Sequence, residues 1–111
     1  MWNKRSKFGA VKSGGYDSKK EHKRALELEL LQKANEIVNL QKQVKFELLA
    51  SFKDSSGKTE RGISYIADFV YFDKNKNKLV CEDSKGFKTT DYIIKRKLFK
   101  HKYHEYIFIE S

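Results

Sequence analysis

The run ISYIADFVYFDKNKNKLVCEDSK, residues 63–85, decides how this chain is read. Residues 63–72 form one apolar, aromatic-rich run and residues 79–85 form another, with a polar loop at 73–78 between them. The pattern predicts two consecutive antiparallel strands. If the hairpin is symmetric about the loop, Phe72 faces Leu79, Val70 faces Cys81, Asp68 faces Asp83 and Ile66 faces Lys85. Strand side chains alternate with period two, so these pairs are expected to share one face. That face is apolar at Phe72, Leu79, Val70 and Cys81 and then becomes Asp68, Asp83 and Lys85. A register shift of two would leave the carboxylates as diagonal neighbours on the same face.

Two carboxylates directly opposed on a sheet repel. On a half-buried face they also lose hydration. Either one of them holds a proton or a cation neutralises both. A hard divalent cation is the economical answer, because Mg²⁺ commonly takes one or two protein carboxylates and completes its shell with water and phosphate. Lys85, beside Asp83, is placed to stabilise charge that develops on a phosphate or to orient an attacking water. Taken singly, each residue reads as a solvated strand charge or as half of a salt bridge, since strand charges usually face water. The combination at one register is what points to a site.

Outward from the hairpin, Ser18-Lys19-Lys20-Glu21 has the form of a capping box and predicts a helix that starts at Ser18. Ala25, Leu26, Leu28, Leu30 and Leu31 follow at helical spacing, and Asn35 is suited to a left-handed C-terminal cap. Glu21 is either the capping-box partner of Ser18 or a further carboxylate of the site. Val44, Phe46 and Leu48 alternate with Lys45 and Glu47 as a strand. Residues 54–57, Asp-Ser-Ser-Gly, make a turn. Gly86 breaks the strand that carries Asp83, and Thr89 or Thr90 caps a second helix that runs to about Tyr103. Ile94 and Leu98 are read as part of its apolar stripe, and Lys95, Arg96, Lys97, Lys100 and Lys102 make the rest basic. Residues 106–110 close the chain as a short strand. The order is helix, three strands, helix, strand, an α/β arrangement with a small mixed sheet and helices packed on it.

The chain has 111 residues, 39% of them hydrophobic, which suits a single domain with one modest core. Residues 1–15 form a basic stretch with Trp2 and Phe8 among Lys4, Arg5, Lys7 and Lys12. It reads either as a frayed terminus or as an arm along a nucleic-acid backbone. Residues 16–111 make the domain. The formal net charge of +9 favours a polyanionic partner, nucleic acid first. A single cysteine excludes an internal disulfide and a cysteine-based zinc site, and fits a reducing compartment. His22, His101 and His104 lack a metal-binding spacing. There is no apolar leader, no membrane-length stretch and no nucleotide-binding fingerprint, so the expectation is a soluble, cytoplasmic protein without a nucleotide cofactor.

Ile66-Ala67-Asp68-Phe69 followed by Glu82-Asp83-Ser84-Lys85 resembles the PD-(D/E)XK nuclease signature, with Ala67 where proline is usual. The element order is similar to the αβββαβ core of restriction-endonuclease-like folds. More narrowly, the stretches at 16–21, 65–71 and 80–89 resemble a family of small phage proteins grouped with Holliday-junction resolvases. The resemblance implies a DNA endonuclease in which Asp68 and Asp83, with the Ser84 carbonyl, bind Mg²⁺ or Mn²⁺ and Lys85 assists the nucleophilic water. It matches Glu21 to an acidic residue on the first helix, and it implies a homodimer acting on branched DNA in phage recombination or replication. Lys88, Lys95, Arg96 and Lys100 are the candidate contacts to DNA backbones, which give affinity without sequence information. The rival expectation is a non-catalytic DNA-binding protein on the same fold.

Overall fold

A computed structural model describes residues 18–84 and 89–111. Helix α1 spans Ser18–Lys33 and is followed by strand β1, Ile37–Leu49. A small hairpin pairs β2 (Phe52–Lys53) with β3 (Thr59–Glu60). Strands β4 (Ile63–Asp73) and β5 (Lys78–Asp83), helix α2 (Thr90–Lys102) and strand β6 (Tyr106–Glu110) complete the chain. The four long strands form one sheet in the order β1-β4-β5-β6. Its first two pairings are antiparallel, and β5 and β6, joined through α2, are parallel. The protein is a mixed α/β structure with a small mixed sheet, as the sequence led one to expect.

Local chemistry explains the boundaries. Asn35 adopts φ 65°, and the Glu36 and Asn35 amides donate to the Leu31 and Gln32 carbonyls. This is a Schellman cap, which satisfies carbonyls that the helix end would leave bare. Thr89 caps α2, its hydroxyl accepting from the Tyr92 amide at 3.1 Å. Asp54 Oδ1 accepts from the amides of Ser56 and Lys58 and builds the predicted turn.

The sheet separates two apolar layers. On the α2 side lie Phe46, Leu48, Tyr65, Ala67, Val70, Cys81, Tyr92 and Phe99. Phe99 meets Phe46 edge-on at 4.9 Å, a favoured aromatic geometry. On the α1 side lie Leu28, Ile37, Phe69, Tyr71 and Val80. Strand β1 is longer than residues 44–48, because its polar N-terminal half pairs with β4 despite lacking the alternation expected of a strand. Its edge is partly covered. The Gln32 side chain accepts from the Leu40 amide at 2.8 Å, and the Tyr103 hydroxyl donates to the Glu47 carbonyl at 2.8 Å. Such capping blunts a strand edge against pairing with other chains.

The apolar stripes differ from expectation. Helix α2 buries Tyr92 and Phe99, while Ile94 and Leu98 face outward. Helix α1 buries Leu28 and leaves Leu26 at 49% and Leu30 at 65% exposure. A helix bearing apolar residues on more than one side presents alternative faces, and the sequence alone did not choose between them.

Candidate carboxylate site on the central strands

The symmetric hairpin register holds. Phe72 pairs with Leu79, Val70 with Cys81, and the last pair of the ladder is Phe69 with Glu82. Asp68 and Asp83 are the next residues beyond that pair. Both are buried, at 4% and 0% exposure. The continuous face expected for them does not extend to Asp68. Along β4, Tyr65 and Ala67 pack on the α2 side, whereas Phe69 and Tyr71 pack on the α1 side. The alternation therefore breaks at Asp68. On β1 the same change occurs between Val44, packed on the α2 side, and Leu40, packed on the α1 side. Between them Gln43 takes φ 53°, a left-handed conformation that costs a non-glycine residue about 1 kcal/mol or more. The left-handed turn at Gln43 accompanies the change of face on β1.

Asp68 is held by its neighbours. Its Oδ2 accepts from the Ser84 amide at 2.8 Å and the Ser84 hydroxyl at 3.0 Å. Its Oδ1 faces the Gln43 amide nitrogen at 3.3 Å. The same nitrogen donates to Glu21 Oε2 at 2.7 Å, so Gln43 bridges the first turn of α1 to β4. Asp83 Oδ2 accepts from the Tyr65 hydroxyl at 2.5 Å. Burial, and then the bond to Asp83, push the Tyr65 hydroxyl well above its ordinary range, so it stays protonated and remains a donor. Nearby Cys81 registers the local charge. Burial first, then Asp83, Asp68 and Glu82, push its thiol up to about 12.

Glu82 lies on the opposite face from Asp83, as alternation requires. It is fully buried and bound by Arg24, with Nε to Oε2 at 2.5 Å and Nη2 to Oε1 at 3.1 Å. The Tyr71 hydroxyl donates to Oε1 at 2.7 Å. Burial raises the Glu82 carboxyl, but the Arg24 guanidinium and the Tyr71 hydroxyl outweigh it and hold the group below its ordinary value. On β6, Glu110 pairs in the ladder with Asp83 and is bound by the Tyr92 hydroxyl at 2.6 Å and by Arg96 at 3.1 Å.

The structure thus joins Asp68 directly to Ser84 and, through Gln43, to Glu21, with Asp83 on the neighbouring strand. Lys85 and Lys88 lie outside the described residues, as does the segment 1–17 with its basic stretch. Of the expected DNA contacts, Lys100 is exposed, Lys95 pairs with Asp91 at 3.6 Å, and Arg96 is engaged with Glu110. Gln43, Tyr65, Arg24 and Tyr92 were not found from sequence. A lone polar residue within a helix or strand carries no periodic signal, and the partners of these four are 18 to 58 positions away.

Among the described residues no three His, Cys, Asp or Glu side chains are grouped closely enough to form a ready-made ion cage. The oxygen donors of Asp68 and Asp83 still suit a cation that takes one or two carboxylates and keeps its water. Asp68 Oδ2 is turned to Ser84 while Oδ1 meets only a long amide contact among its described partners, which leaves one oxygen suited to a ligand. No described helix is long and apolar enough to cross a membrane.

Fold and site define a mixed α/β protein with buried carboxylates on its two central strands. The chain belongs to the family described as "Protein of unknown function (DUF1064)", whose model matches residues 4–109. No curated protein and no solved structure matches the chain.

Proposed function

We propose that this protein is a divalent-metal-dependent DNA endonuclease of the PD-(D/E)XK type, acting on branched DNA in the manner of a Holliday-junction resolvase. The observation that carries the reading is the burial of Asp68 and Asp83 on adjacent central strands, one position past the last ladder pair. Burying two carboxylates on neighbouring strands costs hydration that a structural sheet avoids, whereas a cation that takes one or two carboxylates offsets it.

In this reading Asp68 and Asp83 hold Mg²⁺ or Mn²⁺, with the Ser84 carbonyl as a further ligand and Glu21 at the margin of the site. The ion supplies a polarised scissile phosphate and a bound water of lowered pKa. Ser84 orients Asp68 through its amide and hydroxyl, and Tyr65 orients Asp83. Lys85 neutralises the charge that grows on the phosphate during in-line attack. The basic outer side of α2, including Lys97 and Lys100, and the basic segment 1–15 bind phosphate backbones without reading sequence. A homodimer would place paired sites on symmetric strands, by analogy alone, and a phage-encoded member would act in the host cytoplasm.

The test incubates the purified protein with a synthetic four-way junction and a matched linear duplex, with Mg²⁺, Mn²⁺ or EDTA, beside Asp83→Ala. Metal-dependent junction cleavage that disappears in Asp83→Ala is the expected result. Equal cleavage of both substrates removes the junction preference and keeps the nuclease. Binding without cleavage under any metal leaves a DNA-binding module and sinks the enzyme.

A further inference from the structure

The ion pair between the partly exposed Arg24 and the fully buried Glu82 takes no part in the proposed chemistry, yet it sits one residue from Asp83 in β5 and three residues from Glu21 in α1. Residues three and four apart share a helix face. The face of α1 turned to the sheet therefore carries Glu21, Arg24, Ala25 and Leu28. Its apolar part is small, since only Leu28 is fully buried and Ala25 partly so.

The opposite side of the helix carries Leu26 and Leu30, which point to water, while Leu31 continues the sheet-facing side beyond Leu28 and stays 36% exposed. Hydrophobic burial rewards area, and Leu26 with Leu30 would offer the sheet an area comparable to that of Leu28 with the half-covered Leu31. Apolar packing alone does not select the observed rotation of α1 about its axis. Directional polar contacts do. Arg24 grips Glu82 with two nitrogens, a fork geometry with a fixed orientation. Gln32 binds the Leu40 amide, and Glu29 pairs with Lys42 on β1. A charged pair with one member buried contributes little net stability relative to apolar residues, but it can specify one arrangement among several.

We infer that Arg24 and Glu82 are positioning residues that fix the rotation of α1 and so deliver Glu21 to Gln43 and Asp68. The inference rests on the nuclease reading for its catalytic consequence, while the placement of Glu21 is testable without it. Glu82 belongs to the same strand as Asp83 and faces the other way, so one strand holds the site residue and the anchor of the helix that completes the site.

The test uses the full chain with Arg24→Met/Glu82→Met, which replaces the pair by apolar side chains of similar length and is expected to fold. Arg24→Lys serves as a second variant that keeps the charge and loses the fork. Two readouts are taken. The first is the side-chain amide resonance of Gln43 by NMR, with the backbone amides of Val80 and Cys81 as controls for the fold. The expected result is that Glu21→Gln moves the Gln43 resonance, that the double variant moves it equally, and that adding Glu21→Gln to the double variant moves it no further. The second is Mn²⁺ affinity by calorimetry, expected to weaken about tenfold in Glu21→Gln and in the double variant alike, with little added effect in combination. If the double variant does not fold, Arg24→Lys is expected to move the resonance part of the way. A folded variant that leaves the Gln43 resonance at its wild-type position overturns the inference. A resonance that moves as expected in a protein that binds no Mn²⁺ upholds the positioning role and sinks the metal site instead.

Discussion

Gln43 and Asp68 face each other across β1 and β4, between the paired residues Lys42 and Phe69 on one side and Val44 and Ala67 on the other. At this point both strands change the face they present, and the Gln43 amide spans the gap from Asp68 to Glu21. The kink turns a regular sheet into a place where a helix carboxylate and a strand carboxylate meet. Strained backbone of this kind persists only where surrounding structure holds it, and it gathers at functional positions.

Asp68→Asn is expected to separate fold from function. The asparagine carbonyl oxygen can accept both Ser84 donors that Asp68 Oδ2 now takes. The midpoint of thermal unfolding should therefore shift by less than about 4 °C, which corresponds to roughly 1 kcal/mol for a domain of this size. The negative charge needed by a cation is lost, so metal-dependent cleavage should fall to background. Cleavage at the wild-type rate in a folded Asp68→Asn protein would remove Asp68 from the site.

Glu82 gives a pH dependence with a definite sign. Its carboxyl is held below its ordinary value of 4.5 in the folded protein. A depressed carboxylate contributes stability that is fully present above its unfolded pKa and is lost as pH falls through its folded pKa. Urea midpoints for wild type and Glu82→Gln should differ most near neutrality, where the substitution takes from Arg24 its buried charged partner and leaves it only Glu27. The gap should close as pH falls below about 4. A constant difference from pH 7 to pH 2.5 would mean that the Arg24–Glu82 pair is not the source of the effect.

Gly62 fixes where β4 begins. A Cβ there would stand 2.4 Å from the Leu49 carbonyl oxygen and 3.0 Å from the Ser51 nitrogen, both of them backbone atoms that cannot swing aside. The start of β4 is also where its pairing with β1 shifts, between Glu47 and Leu49. Gly62→Ala should cost about 1–3 kcal/mol in chemical denaturation, the usual range for forced overpacking. An unchanged midpoint would show that the two segments part easily.

The sequence carried the hairpin well because its signals were local. Alternating apolar residues on either side of a polar loop set the register, and Phe72–Leu79 and Val70–Cys81 pair as expected. The caps at Asn35 and Thr89 were legible for the same reason, since each depends on a short stretch of chain. The kink at Gln43 and Asp68 was not legible, because an alternation rule assumes an unbroken strand. The helix rotations were also missed. Leu26, Leu30, Ile94 and Leu98 have the spacing of a buried stripe, but distant partners such as Glu82 and Phe46 decide which side of each helix turns inward. The sequence left Glu21 between cap and site, and its link through Gln43 to Asp68 depends on a partner 22 positions away that local pattern does not reveal.

Arg96 and Lys100 lie one turn apart on α2, and the sequence gives them the same expected role in holding DNA. Their surroundings divide them. The Arg96 guanidinium binds Glu110 at 3.1 Å and stands 5.9 Å from the centre of the Tyr92 ring, beside the strand that carries Asp83. Lys100 is exposed, with its ammonium 5.5 Å from the centre of the Phe108 ring. A phosphate can reach Lys100 without breaking an ion pair, whereas Arg96 would have to abandon Glu110 opposite Asp83. Lys100→Ala should weaken DNA binding and reduce the slope of log affinity against log salt by about 0.9, the loss of one phosphate contact on duplex DNA. Its thermal stability should stay near wild type. Arg96→Ala should leave that slope unchanged and lower the unfolding midpoint, because it leaves the carboxylates of Glu110 and Asp83 facing each other with one cation fewer. Salt titrations of both variants against the same duplex, read beside their melting curves, decide the matter. A reduced slope in Arg96→Ala with an intact fold would return Arg96 to the DNA interface and assign the balance of charge around Glu110 to another group.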